Sequence, residues 1–174
     1  MTTQMDELTM DQRLARLEAV QQITALKHRY LRACDNKDPE GFRAAFIRHG
    51  ATIDFGPMGS FPDADGIAAV YEQVALHKND GAHTILDMHH AVHPDIEISG
   101  ADTAQGRWSL RFRQIDLTAS TETVAAMEYW DRYVIEDGEW RISHSRSMPL
   151  WSLTRPLGEV MALADNMPIT ITAP

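Results

Sequence analysis

Cysteine is almost absent. Cys34 is the only one in 174 residues, so no internal disulfide can brace the fold, and a reducing, cytoplasmic setting is expected. Long apolar runs are missing too: no segment approaches the roughly 18 consecutive apolar residues of a membrane span. The opening MTTQMDELTMDQ carries neither the basic start nor the apolar stretch of a secretory leader. Basic side chains are outnumbered, 16 Lys+Arg against 25 Asp+Glu. The formal charge of −9 repels polyphosphate and argues against nucleic acid or an anionic membrane as partner. There is no GxGxxG, no phosphate-binding P-loop, no GxSxG, no CxxC and no HExxH, so the common nucleotide, hydrolase, thiol-redox and zinc-protease signatures all fail. Internal repeats and low-complexity tracts are also lacking.

What is present is enough for one core: 44% of the residues are hydrophobic, in a chain of single-domain size. Leu14, Leu17, Val20, Ile23, Leu26, Tyr30 and Leu31 recur at helical spacing and predict a long amphipathic helix over residues 10–35. Asp38-Pro39-Glu40 supplies a cap and a first-turn proline for a short second helix that ends near Gly50. A short strand over 51–55 follows, then a Gly- and Pro-rich loop over 56–63, then a third helix capped by Asp65 and running to about His77. Four β-rich segments complete the pattern, at 84–98, 103–117, 123–136 and 139–150, with turns at 99–102 and Asp137-Gly138. Helices first and antiparallel strands afterwards define an α+β domain. A cone-like curved antiparallel sheet should wrap over the three N-terminal helices and enclose a pocket. The core spans about residues 10–151 of a single domain over 1–174. In the tail, 152–174, Val160, Met161 and Leu163 fit a short helix that either lids the pocket or crosses to a neighbouring subunit.

Histidine density is the chemical anomaly, with His83, His89, His90 and His93 inside eleven residues. Alternation along a strand puts His89 and His93 on one face and His90 on the other. Yet His89 and His93 stand about 13 Å apart at roughly 3.3 Å per residue, too far to share one ion. A metal centre would need Asp35, Asp54 or His144 from elsewhere. No metal and no cofactor are expected, and His90 and His93 are read as polar surface residues.

Four motifs in order carry a resemblance: YLRACD at 30–35, HHAVHPDIEI at 89–98, GRW at 106–108 and YWDRYVIEDGEWRI at 129–142. Together with the order of elements, they make residues 14–151 similar to the nuclear transport factor 2-like superfamily. The SnoaL-like branch is the nearest in detail, with its scytalone dehydratase, bile-acid 7α-dehydratases and hexachlorocyclohexane dehydrochlorinase. The resemblance implies that Asp35 and His89 form a catalytic dyad and that Tyr30 occupies a polar catalytic position. Neutral imidazole is the right base near pH 7, and a carboxylate on its other nitrogen fixes the tautomer and stabilises the imidazolium. The implied activity is a cofactor-independent lyase reaction: a dehydratase-like β-elimination in which Tyr30 donates a hydrogen bond to a substrate oxygen.

Two positions depart from the family pattern. Phe112 stands where bile-acid dehydratases carry a further acid, which points to a greasier substrate containing a ring. Ser145 stands where the dehydrochlorinase has arginine, flanked by His144 and Arg146, and a one-residue bulge would restore Arg146 to the pocket. Arg111 and Arg113 fall on the face opposite Trp108 and Phe112. Phe55, Trp108, Phe112, Met127, Tyr129, Trp130 and Tyr133 are available to line a hydrophobic cavity. Phe55, Trp108, Phe112, Tyr129 and Arg146 are the expected substrate contacts. Two alternatives to the lyase stay open on the same scaffold. One is an isomerase or an epoxide hydrolase, the latter needing an arrangement such as Asp35, Arg146 and Asp131. The other is a noncatalytic binding domain for small molecules. Apolar and arginine side chains on the outer sheet face, together with the oligomers formed by relatives, imply a homodimer or homotrimer.

Overall fold

The computed structural model describes residues 8–158. Helix α1, Met10–Asp35, starts from a capping box: Thr9 accepts from the Gln12 amide while the Gln12 side chain accepts from the Thr9 amide. Its buried stripe is Ala19, Ile23, Leu26, Lys27, Tyr30, Leu31 and Cys34, and the register matches the 3.6-residue period. Leu14 and Leu17 were expected in that stripe but lie exposed, because the packed face of the helix begins only at Ala19. Helix α2, Pro39–Ala44, is capped by Asp38, whose side chain accepts from the Gly41 amide at 2.9 Å. It is shorter than the sequence suggested. Helix α3, Ala64–Ala75, is capped by Asp63 rather than by Asp65, since Asp63 accepts the Asp65 amide.

Eight strands follow the chain: β1 Thr52–Asp54, β2 Ser60–Phe61, β3 Lys78–Asn79, β4 Ala82–His83, β5 Ile85–Ile98, β6 Thr103–Asp116, β7 Thr121–Glu136 and β8 Glu139–Pro156. The stretch expected to be pure loop over 56–63 contains one 3₁₀ turn, Gly56–Met58, and β2, which folds back on β1. Strand β8 runs past residue 150 because it stays paired with β7 as far as Thr121↔Pro156. The tail helix proposed around Val160, Met161 and Leu163 lies outside the described residues.

The main sheet has the order β2-β1-β8-β7-β6-β5 and is antiparallel except where β1 runs parallel to β8. Strand β5 therefore forms one edge. Alternation assigns the inner face to Ala104, Gly106, Trp108 and Leu110 of β6, and to Tyr129, Asp131 and Tyr133 of β7, all buried. At Gly106 an added Cβ would stand 3.0 Å from the Tyr133 ring, so the GRW motif keeps glycine there for that close approach. The β7–β8 turn places Asp137 and Gly138 at φ 52° and 80°, the left-handed pair that suits a tight hairpin.

A register shift opposite Arg132 and Tyr133 inserts Ser143 into β8 and changes its parity. Trp140 and Ile142 point inward before the shift, and Ser145 and Ser147 point inward after it. A second shift, between Val92 and Asp95, accompanies His93 at φ 54° and interrupts the alternation that would have put His93 on the face of His89.

Candidate active site

Asp35 is the last residue of α1, and His89 lies on the inner side of edge strand β5. An edge strand presents amides with no neighbouring strand to accept them. Here the Asp35 carboxylate does so, taking the His89 backbone N–H at 3.1 and 3.2 Å. The same carboxylate lies 2.6 Å from His89 Nδ1. Backbone and ring are thus held by one acid. With Nδ1 facing a carboxylate, the neutral ring carries its proton on Nδ1 and leaves a lone pair on Nε2. Nε2 has no hydrogen-bond partner among the described residues, and it is not among the sealed, unpartnered buried atoms. Phe112, paired across the strands with His89, sets its ring 4.8 Å from the imidazole and shields one side of it.

The dyad opens into a groove of about 450 Å³ between α1 and β5. Leu31, Asp35, His89 and Ala91 form its partly or wholly buried floor, while His28, Arg32 and His90 are exposed along its rim. One pleat before His89, Asp87 accepts from Gln114 at 2.9 Å and pairs with Lys37, two residues beyond Asp35. Sequence reasoning missed this second pair. Lys37 sits at φ 61°, a turn conformation that brings its side chain back against β5.

The other expected site residues lie elsewhere. Tyr30 was expected to donate a hydrogen bond to a substrate oxygen but is 2% exposed, packed against Phe42 and Phe46 at ring distances of 5.3 and 5.5 Å. Burial raises its hydroxyl pKa well above the ordinary tyrosine value, so it is neutral and locked in the core. Phe55 and Tyr129 pack edge to face at 5.8 Å, and Trp108 donates to the Tyr133 hydroxyl at 2.9 Å. All three are core residues; of the expected aromatic contacts only Phe112 reaches the dyad. Arg146 is corrected as well. The bulge exists, but it turns Ser145 and Ser147 inward and sends Arg146 to the outer face, half-exposed and 3.4 Å from Asp54. Asp35, Arg146 and Asp131 therefore do not converge as an epoxide hydrolase would need.

Deep under the sheet lies a charged network absent from the expectations. Lys27 Nζ donates to Asp131 Oδ2 at 2.8 Å, with both side chains fully buried. Tyr133 donates to Oδ2 at 2.8 Å and Ser145 to Oδ1 at 2.7 Å. The ammonium also stands 3.5 Å from the centre of the Tyr129 ring. Burial pulls the Lys27 pKa below its ordinary value, and Asp131 acts in the opposite direction. A signal for the network was present: Lys27 interrupts the apolar stripe of α1, and Asp131 falls between Tyr129 and Tyr133 on the inward parity of β7. Among the described residues no three His, Cys, Asp or Glu side chains are grouped to hold a metal ion.

Fold and dyad define the class: a small α+β domain with a His-Asp pair in a groove beside its sheet edge. A family model, the SnoaL-like domain, matches residues 15–146, and the chain belongs to that family. Among solved structures, a type 2 hexachlorocyclohexane dehydrochlorinase (LinA) matches with TM-score 0.71 at 16% identity, covering 88% of this chain and 99% of that one. The LinA-type3 dehydrochlorinase of Novosphingobium barchaimii LL02 matches at 0.70 and 17%, covering 87% and 98%. A proposed scytalone dehydratase of Novosphingobium aromaticivorans DSM 12444 gives 0.70 and 16%, covering 88% and 95%. At these identities the likeness is one of fold. No curated protein sequence matches the chain at a significant level. No described helix is long and apolar enough to cross a membrane.

Proposed function

We propose that the protein is a cofactor-independent lyase in which His89 removes a proton from carbon and Asp35 supports the imidazolium that forms. One observation carries this reading: Asp35 grips Nδ1 at 2.6 Å while Nε2 is left unpartnered beside an open groove. In the step, the electron pair of the broken C–H bond forms a double bond to the neighbouring carbon, whose leaving group departs with its own pair. Protonated His89 then returns the proton to the leaving group or to water. Leu31 and Ala91 give the groove apolar surface and Phe112 packs against the His89 ring, which strengthens the His-Asp interaction and favours a substrate with a hydrocarbon ring. The names of the dehydrochlorinases and the dehydratase support elimination over isomerisation.

The test is a panel of alicyclic β-halo and β-hydroxy compounds, followed by the absorbance of the new double bond. Wild-type protein should turn over at least one member, and His89→Ala and Asp35→Asn should lose that turnover while keeping the folded circular-dichroism spectrum. Equal turnover by both variants would remove the dyad from the mechanism. Self-association belongs to the same proposal: Trp130, Trp151 and Leu153 are 46, 57 and 57% exposed, a cost that a second copy would relieve. Light scattering at micromolar concentration should give a dimer or trimer mass.

A further inference from the structure

The rim of the dyad groove carries one fixed cation, Arg32, whereas its floor joins apolar Leu31 and Ala91 to the dyad. Arg32 lies one helical turn before Asp35, about 4.5 Å along the axis at ~1.5 Å per residue. It is exposed on the rim, and it makes no ion pair or side-chain hydrogen bond among the described residues. Arg43, Arg107, Arg113 and Arg155 are engaged by carboxylates, whereas Arg13, Arg16, Arg29, Arg111 and Arg132, like Arg32, make no ion pair among the described residues; of these six Arg32 is the one that lines the dyad groove. In a chain with nine more acids than bases, an arginine left open over a groove is a free fork of donors. His28, one turn earlier on α1, and His90, next to the base on β5, complete a rim without a carboxylate of its own. Among the described residues the only acid lining the groove is Asp35, and it is already committed to His89.

We infer that the groove takes a ring-bearing carboxylate, whose acid group is held by Arg32 while its ring lies on Leu31, Ala91 and Val92 beside His89. This specificity rests on the dyad reading above and adds Arg32 as the substrate-orienting residue. A guanidinium matches a planar carboxylate with two parallel hydrogen bonds. A singly charged acid also suits the site better than a phosphate dianion, because Asp35 and the overall charge of −9 oppose each added negative charge. At physiological salt the remote acids are screened over about 8 Å, leaving the local fork to decide.

Benzoate and benzyl alcohol, equal in ring and differing in charge, are the probes. Each is titrated into the full chain while the His89 imidazole resonances are followed, assigned by their loss in His89→Ala. Benzoate should shift them saturably, and benzyl alcohol should bind at least about tenfold more weakly. Arg32→Gln should weaken benzoate by about tenfold or more, with Arg32→Lys intermediate and an unchanged melting temperature in both. If benzyl alcohol binds as well as benzoate, or Arg32→Gln binds benzoate like the wild type, the carboxylate assignment is overturned. The dyad groove itself would then stand on the response of His89. If neither probe moves His89 at any concentration, the groove is not a ligand site, and both the inference and the reading beneath it fall.

Discussion

Helix α1 carries two acid–base pairs eight residues apart, and they have opposite characters. Lys27–Asp131 is fully buried, and the carboxylate is saturated by an ammonium and two hydroxyls. Asp35–His89 has side chains 27 and 14% exposed, and its outer ring nitrogen is unpartnered. Both pairs tie the same helix to the sheet, at successive points along one stripe. Saturation makes the first a structural clamp, because any proton or ligand would have to break bonds already made. In the proposed chemistry the second is the usable one, because its ring is held in orientation while Nε2 has no partner among the described residues. Burial alone is therefore a poor guide to the site here. Among the described residues the most buried charge is the one least able to act.

The contrast can be broken most strongly at the clamp. Lys27→Met strands the Asp131 carboxylate in the core and should cost about 3–5 kcal/mol in urea unfolding. Lys27→Met combined with Asp131→Leu should recover most of that loss. If the single variant is as stable as wild type, the pair is not a clamp. At the dyad the expected change is in rate: His89→Ala should lower turnover about 10²–10⁴-fold with little effect on the urea midpoint. A large loss of stability instead would make this pair structural too.

A third test uses Cys34, which lies between the two pairs on the helix. Burial, assisted by the nearby Asp35 charge, pushes its thiol pKa up from 9.0 to about 12. Above pH 9 the unfolded chain releases this proton while the folded chain keeps it. The folded state then binds more protons, and stability falls as pH rises from 9 towards 12, at up to about 1.4 kcal/mol per pH unit. Cys34→Ala should flatten the alkaline slope of urea midpoints between pH 9 and about 10. Lys27, lowered by burial, contributes a slope of the opposite sign in both proteins, changed in the variant only through its coupling to Cys34. An unchanged slope would mean that water reaches this stretch of α1. The smallest effect belongs to Arg146: its exposed contact with Asp54 is worth less than about 1 kcal/mol, so Arg146→Ala should leave both stability and turnover near wild type. A loss of turnover would return Arg146 to the site.

Periodicity made the helices and the long strands legible, and α1 was read to its observed limits. The order of motifs also led to Asp35 and His89, which the fold brings to 2.6 Å. Three features escaped for identifiable reasons. Tyr30 shares the inward stripe of α1 with Leu31, and spacing cannot distinguish a hydroxyl open to substrate from one sealed by Phe42 and Phe46. Arg146 depended on which residue of β8 is the inserted one, a fact set by pairing with β7 and not by β8 itself. Asp131 and Lys27 were each visible as charges at apolar positions, but their partnership crosses 104 residues and needs the folded sheet. Strand β8 outran its expected end because pairing with β7 carries it past Leu150.

By accepting the His89 amide, Asp35 also closes part of the sheet's open edge, where another chain would otherwise find a free donor to pair with. Under the proposed function one carboxylate serves both solubility and chemistry, and the two can be separated. A descendant released from catalysis would lose the His89 ring first, since backbone amides come with any side chain, and would keep Asp35 to stay monodisperse. Asp35→Ala should accordingly aggregate more readily than His89→Ala, although both remove the same dyad.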